Sequence, residues 1–143
     1  MYSWLFAAAG IAFPFWLLMI LMPGWRVTRF LADRQVFPIL LAVLYTAGIG
    51  AAVAQYGIGF VQDFGSEEGV LRLLGMPDFA LIVWIHILCF DQAIGHWIYR
   101  DHMADRFLPL PVQSVILFCT LMFGPFGWLL YTVLRALLRP ART

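Results

Sequence analysis

The sequence predicts an all-α integral membrane protein, a bundle of about four transmembrane helices with the fourth interrupted at Gly124-Pro125. Three observations carry this. The chain is 63% hydrophobic and 12% charged, whereas ordinary soluble domains run near ~45–50% apolar and ~25% charged. The excess is gathered into long runs, and roughly 20 apolar residues suffice for a helix to cross a hydrocarbon core. Four such spans with short loops use up the 143 residues, so a single transmembrane domain over 1–143 is expected.

Charge and cysteine content narrow the classes further. The formal net charge of +1 is too small and too evenly spread to point to nucleic acid. Cys89 and Cys119 both lie inside apolar runs, where free cysteine packs as a small hydrophobe. Neither a disulfide framework nor a thiolate metal site is expected.

The first span is expected at about residues 2–22, with Pro14 inside it predicting a kink or the loss of one backbone bond. It has no basic n-region and no cleavage pattern, so it reads as a mature span and not as a signal peptide. Trp25 follows at the depth where indoles favour the headgroups. The first loop sets Arg26, Arg29 and Arg34 against Asp33, and part of it is expected as a short surface helix. Span two is expected at 38–60. Its small residues Ala47 and Ala51, and Gly50 and Ala54, stand four apart, a packing pattern. In the second loop Ser66-Glu67-Glu68-Gly69 predicts a capped interfacial helix. Span three is expected at 79–99, and span four at 112–134.

Gly124-Pro125-Phe126-Gly127 interrupts that last span. Either the helix kinks there, or freed carbonyls and amides line a site around Asp91. With alternating loops, five arginines fall on one face and four on the other, which does not decide orientation. The first basic loop assigns both termini outside the cytoplasm.

The third span carries the chemistry. His86, Asp91, Gln92 and His96 lie in its middle, and an aspartate at membrane depth costs at least ~2.5–3.5 kcal/mol. At about 100° per residue, Trp84, Leu88, Asp91 and Gly95 share one face. His86, Phe90 and Trp97 form a second, and Gln92, His96 and Tyr99 a third. No broad side suits lipid. The helix is therefore expected at the centre of the bundle or at a subunit interface, in a homo-oligomer or a larger membrane complex. Gly95, one turn from Asp91, leaves space for a ligand or a neighbouring backbone.

Three chemistries are open to this span. Steps of five residues turn His86, Asp91 and His96 by about 140° from one another, against the spacing that ligands of one metal ion prefer. A haem or chlorophyll needs one imidazole, which His86 or His96 could supply. A carboxyl held away from water favours its neutral form and can deliver a proton to a buried oxygen. In that case Asp91 is the acid and His86 or His96 the base, while a structural hydrogen bond between helices is the alternative for Asp91.

Three motifs resemble one family. F-P-F-W-L-L-M-I-L-M-P-G-W (Phe13 to Trp25) resembles the first span of the abscisic-acid-deficient-four family of plastids, cyanobacteria and bacteria. W-I-H-I-L-C-F-D-Q-A-I-G-H-W-I-Y-R-D (Trp84 to Asp101) and F-G-P-F-G-W-L (Phe123 to Leu129) follow in the same order. The resemblance carries over His86, Asp91, Gly95, Trp97, Asp101, Gly124 and Pro125. The family pattern has an apolar residue after the aspartate and an arginine before the tryptophan, where this chain has Gln92 and His96.

That family implies a small four-span protein required for neoxanthin formation from violaxanthin, hence a carotenoid as substrate or bound pigment. Opening a 5,6-epoxide end group to an allenic alcohol is redox-neutral. It needs an acid at oxygen and a base at the C7 hydrogen, and no nicotinamide or flavin. Asp91 as acid and His86 as base are the expected catalytic pair, with Trp84, Gly95, His96, Trp97, Gly124 and Pro125 around the substrate. The rival expectations are a non-enzymatic pigment-binding or structural subunit and a haem- or quinone-linked subunit. A bacterial inner or photosynthetic membrane is the expected location.

Overall fold

The computed structural model describes residues 3–138, and among them the secondary structure is helical throughout, with no strand. Helix α1 (Ser3–Ala9) runs through a 3-10 turn, Gly10–Ala12, into α2 (Phe13–Leu21). The turn is what Pro14 imposes, because it has no amide hydrogen to give the Gly10 carbonyl. Helix α3 (Arg26–Asp33) forms the expected surface helix of the first loop, and Gln35, at φ 52°, turns the chain into α4 (Val36–Tyr56). That helix ends four residues before the expected Phe60, because Gly57 takes a positive φ of 72°.

The second loop contains a 3-10 segment, Gly59–Gly65, and the capped helix α5 (Glu67–Gly75). Ser66 Oγ accepts a hydrogen bond from the Gly69 amide at 3.1 Å, the cap that the sequence predicts. Helices α6 (Pro77–Asp105) and α7 (Leu110–Leu138) follow. Four helical segments are long and apolar enough to cross a membrane: Trp4–Leu21, Val36–Tyr56, Pro77–Asp105 and Leu110–Leu138. The last two are longer at both ends than the apolar runs suggest, since α6 keeps its helix through the polar residues up to Asp105.

Packing divides the described chain into two compact units, residues 3–11 with 39–89 and residues 12–38 with 90–138. In the first, Ala52, Leu73, Phe79 and Ile82 form the buried cluster, with Tyr45 and Phe60 against it. The small residues that meet a neighbour on α4 are Gly48 and Ala52, not the pairs expected. A Cβ on Gly48 would touch Ile82 and Leu5 at 3.4 Å, while Gly50 has open space and Ala47 and Ala54 are exposed. Spacing of four is met by several interleaved pairs, and only the partner helix selects among them.

The second unit is built on Phe15, Trp16, Met19, Ile98, Tyr99, Ile116, Leu117 and Tyr131. Its polar bonds serve the chain where α2 ends. A helix C-terminus leaves carbonyls without partners, and here three hydroxyls reach into that region. Ser114 donates to the Ile20 carbonyl at 2.6 Å, Thr28 to that of Met22 at 2.9 Å, and Tyr99 to that of Pro23 at 2.6 Å. At the far end of α6 the buried His102 ring nitrogen Nε2 lies 2.9 Å from the Leu108 carbonyl, tying down the turn in which Arg106 has φ 47°.

Helix α7 is broken more sharply than a kink. Phe123 leaves the helical region at φ −143°, ψ 52°, directly before Gly124-Pro125. Pro125 also deprives the Leu121 carbonyl of its donor. Beyond the break the Gly127 α-carbon lies against the backbone and hydroxyl of Thr120, although seven residues of straight helix would separate the two by about 10 Å. The halves 110–122 and 124–138 therefore double back on each other. Contacts with α6 trace the same path. Leu108 meets His102, Gly124 meets Asp91, and Tyr131 then returns to donate to Asp101 at 2.7 Å. Both ends of α7 lie towards the C-terminal end of α6, and its turn sits beside the middle of that helix.

Candidate functional site

Asp91 lies midway along α6, half-buried, with its carboxyl pressed onto the α-carbon of Gly124. Any side chain at 124 would occupy the space of that carboxyl. The contact explains the glycine. Just past it begins the second half of α7, with Pro125 in the first turn, where a missing amide hydrogen costs nothing. The first amides of a helix have no internal acceptor and carry a partial positive charge. A carboxyl group and a half-helix N-terminus thus meet at membrane depth. No hydrogen bond or ion pair among the described residues engages Asp91, so its lone pairs stay available to a third group.

Three more polar side chains belong to the same unit. Gln92 and Gln113 are 0% exposed and His96 is 6% exposed. None of their side-chain nitrogens and oxygens finds a hydrogen-bond partner among the described residues. Buried amides and imidazoles are nearly always satisfied, because an orphaned one costs about 1–3 kcal/mol. Each of the three marks a point in this unit where a ligand or water would complete the bonding. Gln92 and His96 stand one turn apart on α6, and His96 also lines an open groove of about 470 Å³ with Gln35, Ala93, Trp97, Arg100 and Asp101.

The remaining expected residues divide between the units. Gly95 takes the Trp16 indole, which sits where a Cβ would be, so the space beside it holds a ring of the protein itself. Trp97 meets the Tyr131 ring edge-on at 5.5 Å, with the Arg135 guanidinium 5.6 Å over its own ring. Arg135 also pairs with Asp101, Nε to Oδ2, at 2.9 Å. Of these four, Trp97 and Asp101 line the groove, and Tyr131 and Arg135 contact them. Trp84 and His86 belong to the other unit, where Trp84 is exposed and the His86 ring lies 5.1 Å from that of Tyr45. The structure thus gathers Asp91, Gly95, His96, Trp97, Gly124 and Pro125 in one unit, and His86 is not among them.

Trp16, Gln113, Thr120, Tyr131 and Arg135 enter the site without having been singled out in the sequence. Only Gln113, a polar residue inside an apolar run, left a local signal. Among the described residues no three His, Cys, Asp or Glu side chains converge as metal ligands would.

The motifs at Asp91 and Gly124 thus meet in space. A family model for ABA DEFICIENT 4-like proteins matches residues 4–131. The chain belongs to that family. The matched region includes the site from Trp16 on α2 to Tyr131 on α7, and Arg135 lies just beyond it. Comparison with curated proteins and with solved structures gives no match.

Proposed function

We propose that this membrane protein acts on a carotenoid of the neoxanthin branch, isomerising an epoxidised end group by acid–base chemistry at Asp91. The observation that carries the reading is the Asp91 carboxyl against Gly124, uncommitted to any hydrogen bond at mid-helix. In the proposed step Asp91 gives its proton to the epoxide oxygen as the C–O bond breaks. A base takes the C7 hydrogen, the electron pair left behind closes the allene, and no electrons enter or leave. In this step the half-helix amides after Gly124 stabilise oxygen as charge develops on it.

For the base, the sequence points to His86, which lies in the other unit. His96 has the stronger support, since it shares a unit with Asp91 and both its ring nitrogens lack partners among the described residues. Gln92, where the family pattern is apolar, adds a donor and an acceptor beside the acid. The polyene itself needs an apolar bed, and within the unit of Asp91 the exposed ring of Trp97 offers one.

A second reading, pigment holding without turnover, draws on one feature of the other unit. Ile39, Ala42, Val43, Thr46 and Ala47 line an apolar groove of about 500 Å³ on α4. The deciding experiment feeds an epoxy-carotenoid to the full-length protein in membranes and follows the products by chromatography. Asp91→Asn should lower turnover by about 10²-fold or more while the protein stays folded. An Asp91→Asn protein that still turns over at the parental rate removes the acid. A carotenoid that co-purifies unchanged supports the pigment-holding reading.

A further inference from the structure

We propose a second site, for the phosphate of an anionic lipid headgroup, in the groove where Arg29 of α3 meets Arg100 and Arg106 at the end of α6. The groove holds about 300 Å³, and Tyr99 and Asp33 complete its polar lining. Three arginines line it, with one carboxylate among them. Asp33 stands 4.0 Å from the Nε of Arg100, a loose and exposed pair. Arg29 and Arg106 have no ion-pair partner among the described residues. Like charges gathered this way repel, and a phosphate accepting from two or three guanidinium forks turns that repulsion into attraction.

The surroundings of the groove fit a membrane interface. On α3 Val27 and Phe30 are exposed, and Trp25 precedes them, also exposed. The Arg34 guanidinium lies 5.8 Å over the Phe30 ring. A short helix with exposed rings and arginines belongs at headgroup level. The tyrosine hydroxyl is held in place from within, by its bond to the Pro23 carbonyl.

The return of α7 supplies the independent argument. It brings Arg135 to the C-terminal end of α6, at Asp101. Of the described arginines, Arg26, Arg29, Arg34, Arg100, Arg106 and Arg135 all belong to the unit of residues 12–38 and 90–138, and only Arg72 belongs to the other. Alternating loops had split the arginines almost evenly, but the doubled-back helix collects them. By the positive-inside rule that end faces the cytoplasm, where the leaflet carries anionic lipid.

Phosphate chemistry is shared by a lipid headgroup and by free phosphate, so the test separates the two. The full-length protein in a neutral detergent is titrated with phosphatidylglycerol, with phosphatidylcholine, and with inorganic phosphate, following thermal stability and lipid retained by native mass spectrometry. The wild type should favour phosphatidylglycerol over phosphatidylcholine, and removing charge should lower that preference on the order of fivefold per arginine. Arg29→Gln/Arg106→Gln should abolish it, while Arg72→Gln, in the other unit, should leave it intact. Stabilisation by inorganic phosphate, lost in the same double variant, supports the site with a soluble occupant. The proposal fails if the wild type prefers neither anion, or if the double variant keeps the wild-type preference. Should the double variant not fold, Arg106→Gln alone reads a loss of about fivefold.

Discussion

The two units divide α6 between them and solve different problems. Residues 3–11 with 39–89 pack by shape: Gly48 against Ile82, Phe79 tilted on Tyr56 and edge-on to Phe60. Their polar bonds lie at the exposed ends, as in Tyr56 to Asp78 and Arg72 to Asp63. Residues 12–38 with 90–138 bury hydroxyls, amides and imidazoles instead. The difference follows from the backbone. One unit contains nearly all of α4 and the first half of α6, unbroken helices that satisfy their own peptide groups. The other contains the end of α2 and the break in α7, both of which leave peptide groups to be met by side chains or ligand. Broken helices make the polar unit, and the proposed site falls in that unit.

The comparison breaks most readily at Gly127. A methyl there would meet the Thr120 backbone, which cannot move aside as a side chain could. Gly127→Ala should therefore lower stability by about 2–4 kcal/mol. Gly50→Ala, in the other unit and with open space around it, should raise stability by about 0.5–1 kcal/mol. Thermal unfolding in detergent reads both, and equal shifts for the two would end the distinction.

Hydroxyl removal comes next. Tyr99→Phe strands the Pro23 carbonyl in a buried setting and should cost about 1–3 kcal/mol. Tyr56→Phe loses an exposed bond to Asp78 and should stay within about 0.5 kcal/mol. The smallest stability effect is expected at Gln92. Its amide is buried without a partner among the described residues, so Gln92→Leu should leave the melting temperature unchanged or higher. If the amide serves the substrate, turnover falls at the same time. A melting temperature several degrees lower would show that Gln92 holds the fold together.

Local pattern determined a good deal of this protein. Apolar runs of spanning length marked the four long helices, Pro14 marked the 3-10 turn, and Ser66 followed by two glutamates marked the capped helix. The costly placement of Asp91, Gln92 and His96 singled out α6, and the three motifs pointed to the family. All of these are read within one or two helical turns of a residue, where period, capping and propensity act.

What the tertiary structure decided depends on approaches between distant segments. Gly124-Pro125 announced a break, but its angle was set by glycines that let Gly127 close on Thr120 and Gly124 on Asp91. Only then did α7 return to Asp101 and collect Arg135 with the arginines of α3 and α6. Gly95 offered a space, and an indole from α2 filled it. Gly48 and not Gly50 met a partner, because the choice of face on a uniformly apolar helix belongs to the neighbour that packs on it. A sequence carries such choices only through the whole set of contacts that make them cheapest, and no single window of residues contains that set.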